Sequence, residues 1–231
     1  MSTPAAPILI AVDGPSGTGK SSVSKAVART MGAGYLDTGA MYRALTWWVL
    51  DQGIDPLDQE RVAAEAATFP LVMGTDPANP GVTVDGRDIG DDIRTARITS
   101  AVTAIATNPF VRPVLQRLQR QLMDAIAAER GAVVAEGRDI TTVVAPDADV
   151  RILMTASEEA RLRRRSLEVH GTTDEAAVEA TRDLVVQRDR ADSTVSEFTV
   201  AADGVVTVDT SDLTFEQSVD AVVAIVAVAR V

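Results

Sequence analysis

A short apolar run that leads straight into a glycine-rich loop constrains this chain more than any other feature. Ile8-Leu9-Ile10-Ala11-Val12-Asp13 has the composition of a strand buried on both faces. Gly14-Pro15-Ser16-Gly17-Thr18-Gly19-Lys20-Ser21 follows without a break and fits G-x-x-x-x-G-K-[ST] at every position. Glycines let a backbone curl so tightly that its N–H groups point inward at an anion. In such a loop Lys20 reaches the β- and γ-phosphates of a nucleoside triphosphate, and the Ser21 hydroxyl sits on Mg²⁺. Val23, Ala26 and Val27 continue at helical spacing, so the loop opens a helix whose positive end faces the phosphates. The motif specifies a triphosphate on one side of a site and leaves open what happens to it.

The rest of the chain alternates strand and helix signals. Gly34-Tyr35-Leu36-Asp37 reads as a strand next to the loop's strand, and Thr38 as the cap of a helix carrying Tyr42, Arg43, Leu45 and Trp48. Residues 51–94 differ in character. Short apolar runs at Phe69 to Met73 and Val82 to Asp85, separated by the turn-rich stretch Gly74 to Gly81, predict a small α+β insert. Helical spacing returns after Asp91. Asn108-Pro109 predicts a helix start, with Thr103 and Arg112 on either side of the junction. Gly131 to Ala135 is a further buried strand that delivers Glu136-Gly137-Arg138-Asp139 at its C-terminal end, where ligands of open α/β sheets bind. Val150 to Thr155 and Val205 to Asp209 complete the strands. Ser157 caps a helix bearing Arg161, Arg163, Arg164 and Arg165, and Thr172 with Glu175 predicts a capping box for the next. Thr214 to Gln217 caps a last, apolar helix. The expected fold is α/β, a five-stranded and mainly parallel sheet flanked by helices, with right-handed crossovers.

Bulk properties remove several function classes. The chain has 231 residues and a net charge of −11, a poor match to the basic face that nucleic-acid binding needs. It has no Cys, so thiol nucleophiles, disulfides and zinc–thiolate sites are excluded. Met1 to Pro7 lacks the basic and long apolar regions of a signal peptide, and the apolar run Ala221 to Ala229 is too short for a bilayer. A cytoplasmic monomer, binding neither membrane nor nucleic acid, is the expectation. Of the basic residues only Lys20 and Lys25 are lysines. Arginines at strand ends and helix starts, with a second set on one helix, suit two phosphorylated ligands and a closing lid.

Several of these motifs, in this order, resemble the bacterial cytidylate (CMP) kinases. The resemblance rests on Gly14 to Ser22, Leu36 to Arg43, Glu136 to Asp139, Thr142 to Val144 with Pro146 to Ala148, and Asp192 to Thr194, and covers nearly the whole chain. It implies transfer of phosphate from Mg-ATP to CMP or dCMP. ATP would lie on Gly14, Pro15, Ser16, Gly17, Thr18, Gly19, Lys20, Ser21 and Ser22, with Ser21 on the metal. Arg43 and Arg138 would hold the acceptor phosphate, with Thr38 and Tyr42 lining its site. Thr103, Arg112 and Asp139 would read cytosine, and Arg188 and Asp192 would meet the ribose. Lys20, Arg138, Arg161 and Arg164 would be catalytic. The implied organisation is a core of residues 1–43 and 95–231, an acceptor-binding insert of 44–94, and a lid of 157–171 within the core.

The family pattern is broken in places. Val195-Ser196-Glu197-Phe198 stands where an Arg and then Ser-Pro-Leu are usual, so an arginine of the acceptor site is missing, and a weaker KM for CMP is expected. Thr141 stands where Gly is usual, and Ala145 where Phe is usual. Two other readings stay open on sequence: a kinase for UMP or a small metabolite, and an ATP-binding regulatory module without turnover.

Overall fold

The computed structural model describes residues 6–229, apart from the side chains at 183, 184, 186–188 and 191. Residues 1–5 and the Arg188 side chain, both read above, lie outside the described residues. Along the chain run β1 (Ile8–Asp13), α1 (Lys20–Met31), β2 (Gly34–Asp37), α2 (Thr38–Asp51), α3 (Gln59–Ala66), β3 (Leu71–Met73), β4 (Val82–Val84), β5 (Arg87–Asp88), α4 (Ala96–Ala106), α5 (Val111–Arg130), β6 (Ala132–Gly137), β7 (Val150–Thr155), α6 (Glu158–His170), α7 (Glu175–Asp192), β8 (Val206–Asp209) and α8 (Phe215–Ala229).

The main sheet has five strands in the order β2-β6-β1-β7-β8, and every pairing in it is parallel. β2 is therefore not a neighbour of β1, as its place in the sequence suggested. β6 inserts between them, and only a contact across about a hundred residues of chain decides that. Alternate residues of β1 face opposite layers. Ile10 and Val12 pack with Val23 and Val27 of α1 and Val222 and Val226 of α8. Ala11 faces Met123, Ile126 and Ala127 of α5. A third apolar cluster joins Leu45, Trp47 and Val49 of α2 to Ile54, Val62, Phe69, Val84 and Ile93, and on to Ile98, Ile105 and Leu115. Residues 52–94 thus share a core with α2, α4 and α5, and carry a three-stranded antiparallel sheet, β3-β4-β5. β5, two residues long, carries no periodic signal of its own.

Helix ends follow local chemistry, with some exchanges of role. Asp37, not Thr38, caps α2, its carboxylate accepting from the Ala40 amide at 2.9 Å. Asn108 Oδ1 accepts from the amides of Phe110 and Val111, so Pro109 lies in the turn before α5 rather than in its first position. Asp174 accepts from the Ala177 amide at 2.9 Å and takes the capping role expected of Thr172. The box at α8 forms as read. Gln217 Oε1 accepts from the Thr214 amide and Thr214 Oγ1 accepts from the Gln217 amide.

The buried end of β1 fixes the turn after β6. Asp13 is 1% exposed, and its carboxylate accepts from the Ile140 amide (3.0 Å), the Thr141 amide (2.7 Å) and the Thr141 hydroxyl (2.7 Å). The Thr141 side chain supplies a donor that a glycine at this position would lack. Thr141→Val keeps the shape and removes that donor. It should destabilise the fold by about 1–3 kcal/mol, lowering the melting temperature by roughly 2–10 °C in a thermal scan. An unchanged melting temperature would show that the hydroxyl contributes nothing.

Candidate active site

The parallel register brings the charged strand ends side by side. Asp13 lies opposite Gly137, and Glu136 lies between Val12 and Asp37. The glycine-rich loop rises from the same edge. Gly14, at φ +151°, passes so close to β7 that a Cβ there would stand 2.2 Å from the Met154 carbonyl oxygen. At Gly17, φ +81°, a Cβ would meet the Arg161 carbonyl oxygen of α6 at 2.7 Å.

In front of the loop opens a cleft of about 610 Å³. Ser16 to Val23 line one side. Asp37, Arg43, Arg94, Thr99, Glu136 and Arg138 line the other, and Arg164, Arg165 and Phe215 close it. Six cationic side chains, Lys20, Arg43, Arg94, Arg138, Arg164 and Arg165, therefore converge on one cavity. A protein of net charge −11 that gathers cations in one place is built to receive polyanions there.

The cations are held, not loose. Lys20 Nζ lies 3.9 Å from Glu136 Oε2, and both are buried. The Tyr35 hydroxyl donates to Glu136 at 2.5 Å. Burial, then the neighbouring Asp37 charge, push the Glu136 carboxyl up, against the pull of Lys20, Ser21 and Tyr35. Burial likewise raises Asp13, against the three hydrogen bonds that its carboxylate accepts. Arg43 donates to the Ile93 carbonyl (3.0 Å) and to Thr99 Oγ1 (3.1 Å). Burial lowers its affinity for the proton, Asp37 opposes that, and Arg94 and Arg165 add repulsion. An anion placed among these groups relieves that repulsion.

Beside the cleft lies a second cluster. Asp139 Oδ2 accepts from Arg112 Nη2 and from Gln116 Nε2, each at 2.7 Å. Arg112 also donates to the Ser196 hydroxyl (3.0 Å) and to the Ala106 carbonyl (3.2 Å). Arg138 joins the two regions. It lines the cleft, its Nε donates to Asp192 at 3.2 Å, and its guanidinium lies 5.3 Å over the Phe198 ring.

Most residues singled out by sequence meet here. Ser16 to Ser22, Arg43, Arg138 and Arg164 line the cleft itself. Arg112, Asp139 and Asp192 stand next to it, and Thr103 is exposed on α4, one turn before Ala106. Thr38 and Tyr42 are not among the lining residues. Thr38 is buried, its hydroxyl donating to the Glu136 carbonyl at 2.7 Å. Burial and the nearby Asp139 raise the Tyr42 phenol. Arg161 lies on the far side of the loop, donating to the Ser16 carbonyl and pairing with Asp189, whose Oδ1 accepts from the Ser16 amide. Arg164 reaches the Thr210 hydroxyl (3.0 Å) and the Thr18 carbonyl (3.5 Å). Arg94, Arg165, Gln116, Ser196 and Phe198 carry no motif that marks them. Only Arg165 had a usable signal, its place in the arginine run of α6.

The donor set suits a metal that arrives with a nucleotide. Ser21, an exposed residue at the loop's end, carries its hydroxyl beside Glu136. Among the described residues no group of three or more His, Cys, Asp or Glu could cage a metal alone. Magnesium in phosphate sites is typically bound mostly by phosphates and water.

Comparison with known proteins agrees with this chemistry. A family model described as Cytidylate kinase matches residues 10–228. The chain is 50% identical over 225 residues to a cytidylate kinase of Streptomyces griseus subsp. griseus, covering 97% of this chain and 94% of that one. It is 51% identical over 220 residues to the cytidylate kinase of Streptomyces avermitilis, covering 95% and 92%. For the cytidylate kinase of Rhodococcus opacus the figures are 50% over 211 residues, covering 89% of each chain.

Proposed function

The chain belongs to the cytidylate kinase family, and from that premise we propose how its residues divide the work of phosphorylating CMP. The activity is ATP-dependent phosphoryl transfer to CMP. dCMP as a second acceptor, the residue roles, Mg²⁺, a monomeric state and a cytoplasmic setting are our reading. The carrying observation is the convergence of Lys20 with five arginines on a single cleft in front of the phosphate loop.

The loop amides of Ser16 to Ser22 and Lys20 hold the ATP phosphates. Ser21, with the ATP phosphates, would hold a Mg²⁺ ion, which would supply charge neutralisation to the phosphates. Arg43 and Arg138 hold the CMP phosphate facing it. An oxygen of that phosphate forms a bond to the γ-phosphorus while the bond to the β–γ bridging oxygen breaks, and ADP leaves with that oxygen. The acceptor oxygen is already anionic, so no strong general base is needed. The protein contributes alignment and positive charge around the transferring group. Lys20 moves from Glu136 to the phosphates, while Arg165 and Arg94 complete the cationic wall. In this reading residues 44–94 grip the acceptor, and α6, within the lid of 157–171, closes over the donor. Arg161 anchors that helix to the loop through Ser16 and Asp189.

Base choice falls to the second cluster. Arg112 and Gln116 both donate to Asp139 Oδ2, and Oδ1 is the atom that accepts from the cytosine 4-amino group. Uracil presents a carbonyl there, and the mispaired buried group costs on the order of 1–3 kcal/mol. CMP should be preferred to UMP by roughly 10–100-fold in kcat/KM. Asp139→Asn offers both a donor and an acceptor and should collapse that ratio to within a few-fold of unity. ADP release measured with CMP, dCMP, UMP and AMP tests this. An undiminished CMP preference in the Asn variant would remove Asp139 from base reading.

A further inference from the structure

We propose that residues 192–198 form a positioning clamp on the acceptor side, in which Phe198 holds Arg138 and Ser196 holds Arg112. The proposal rests on the reading above that Arg138 binds the acceptor phosphate and Arg112 helps to read the base. It concerns the stretch where this chain departs from its family's pattern.

Phe198 is 1% exposed although it lies in a segment without regular structure. An aromatic ring so placed must be packed against something, and one neighbour is a cation. The Arg138 guanidinium stands over its face at 5.3 Å, within the range of a cation–π contact. Asp192 takes the Nε–H of Arg138, and the Gly137 carbonyl takes one from Nη1 at 3.3 Å. A guanidinium has five N–H donors in a fixed fork. With one face on the ring and two donors engaged, Arg138 keeps its remaining donors on Nη1 and Nη2, in a plane that the protein has already chosen. It pays little orientation entropy when a phosphate arrives.

Ser196 treats Arg112 in the same way. Its hydroxyl and Asp139 Oδ2 take the two donors of Nη2, and the Ala106 carbonyl takes one from Nη1. The Nε–H and one Nη1–H are left for a ligand. The two halves are tied by backbone. The amides of Val195 and Ser196 both donate to the Asp192 carbonyl, at 3.2 and 3.1 Å, so the turn hangs from the same residue whose carboxylate holds Arg138. Glu197 Oε1 accepts from the Thr199 amide and hydroxyl, so that oxygen is engaged within the turn. The missing family arginine is thus offset by rigid placement of two others. KM for CMP need not be weakened as the sequence alone suggested.

The test is a KM split. Phe198→Leu keeps an apolar side chain and loses the ring face. It should raise KM for CMP roughly 3- to 30-fold, the range of a desolvated cation–π contact, while KM for ATP stays within about twofold. Ser196→Ala should lower the CMP-over-UMP ratio of kcat/KM roughly 3- to 10-fold, the range of one lost hydrogen bond. Thermal melting of each variant shows whether it is folded. A folded Phe198→Leu with wild-type KM for CMP, or one in which both KM values rise together, overturns the clamp. If that variant does not fold, Ser196→Ala decides alone, and an unchanged CMP/UMP ratio overturns the proposal. Wild-type protein that fails to phosphorylate CMP would instead sink the underlying reading of the site.

Discussion

Lys20→Ala is expected to lower kcat for CMP phosphorylation roughly 10²–10³-fold, the loss typical of removing one preorganised charge from a transition state. Lys20 closes a motif whose every position is filled, lies 8% exposed at the start of α1, and faces the cleft. It forms an ion pair with Glu136, itself 2% exposed. Removing the lysine therefore acts twice. The γ-phosphoryl group loses a cation, and Glu136 loses the strongest influence favouring its charged form. The carboxyl then becomes still harder to ionise, and a stability loss of about 1–3 kcal/mol accompanies the lost turnover. Stopped-time ADP release and a thermal scan separate the two effects. Turnover within tenfold of wild type, in a protein shown to be folded, would break the proposed donor side.

Arg138→Ala should lower kcat/KM for CMP by roughly 10³-fold, combining a lost charge-assisted phosphate contact with a misaligned acceptor. The direction of the split matters more than its size. ATP affinity should stay near wild type, because the loop and Lys20 are untouched. Arg138 is also the hub between the cleft and the cluster around Asp139, through Asp192, Phe198 and the adjacent Asp139. Its loss should therefore blunt the preference for CMP over UMP as well. Arg138→Lys should recover only part of the rate, since an ammonium group neither stacks on Phe198 as a plane nor forks onto a phosphate. Equal losses with CMP and ATP, measured as binding of each alone, would place Arg138 on the wrong side of the reaction.

What could be read from the chain in advance was what local chemistry determines. The phosphate loop, the strand ends at Asp13 and Glu136 and the capping box at Thr214 and Gln217 each depend on neighbours a few residues away. The order of strands does not. β6 separates β1 from β2 because of pairing across distant chain, so Asp37 meets Glu136 before it meets the loop. Arg94 was hidden for a similar reason, and Arg165 stood out only as one of a run. One ends a short helical turn of the insert and the other sits in an arginine run, and only packing decides that both face the cleft. The run itself divides: Arg161 binds the outside of the loop, Arg164 the wall at Thr210, and Arg165 lines the cavity. At Val195 to Phe198 a motif comparison sees only the missing arginine. The contacts from Ser196 to Arg112 and from Phe198 to Arg138 span 84 and 60 residues of chain, beyond any local pattern.

The most direct test of the two-ligand site is a crystal structure of the enzyme with CMP bound. Its phosphate is expected within hydrogen-bond distance of both Arg43 and Arg138, with the cytosine 4-amino group on Asp139. A CMP whose base lies away from Asp139, or whose phosphate contacts neither arginine, would contradict the assignment of the acceptor site.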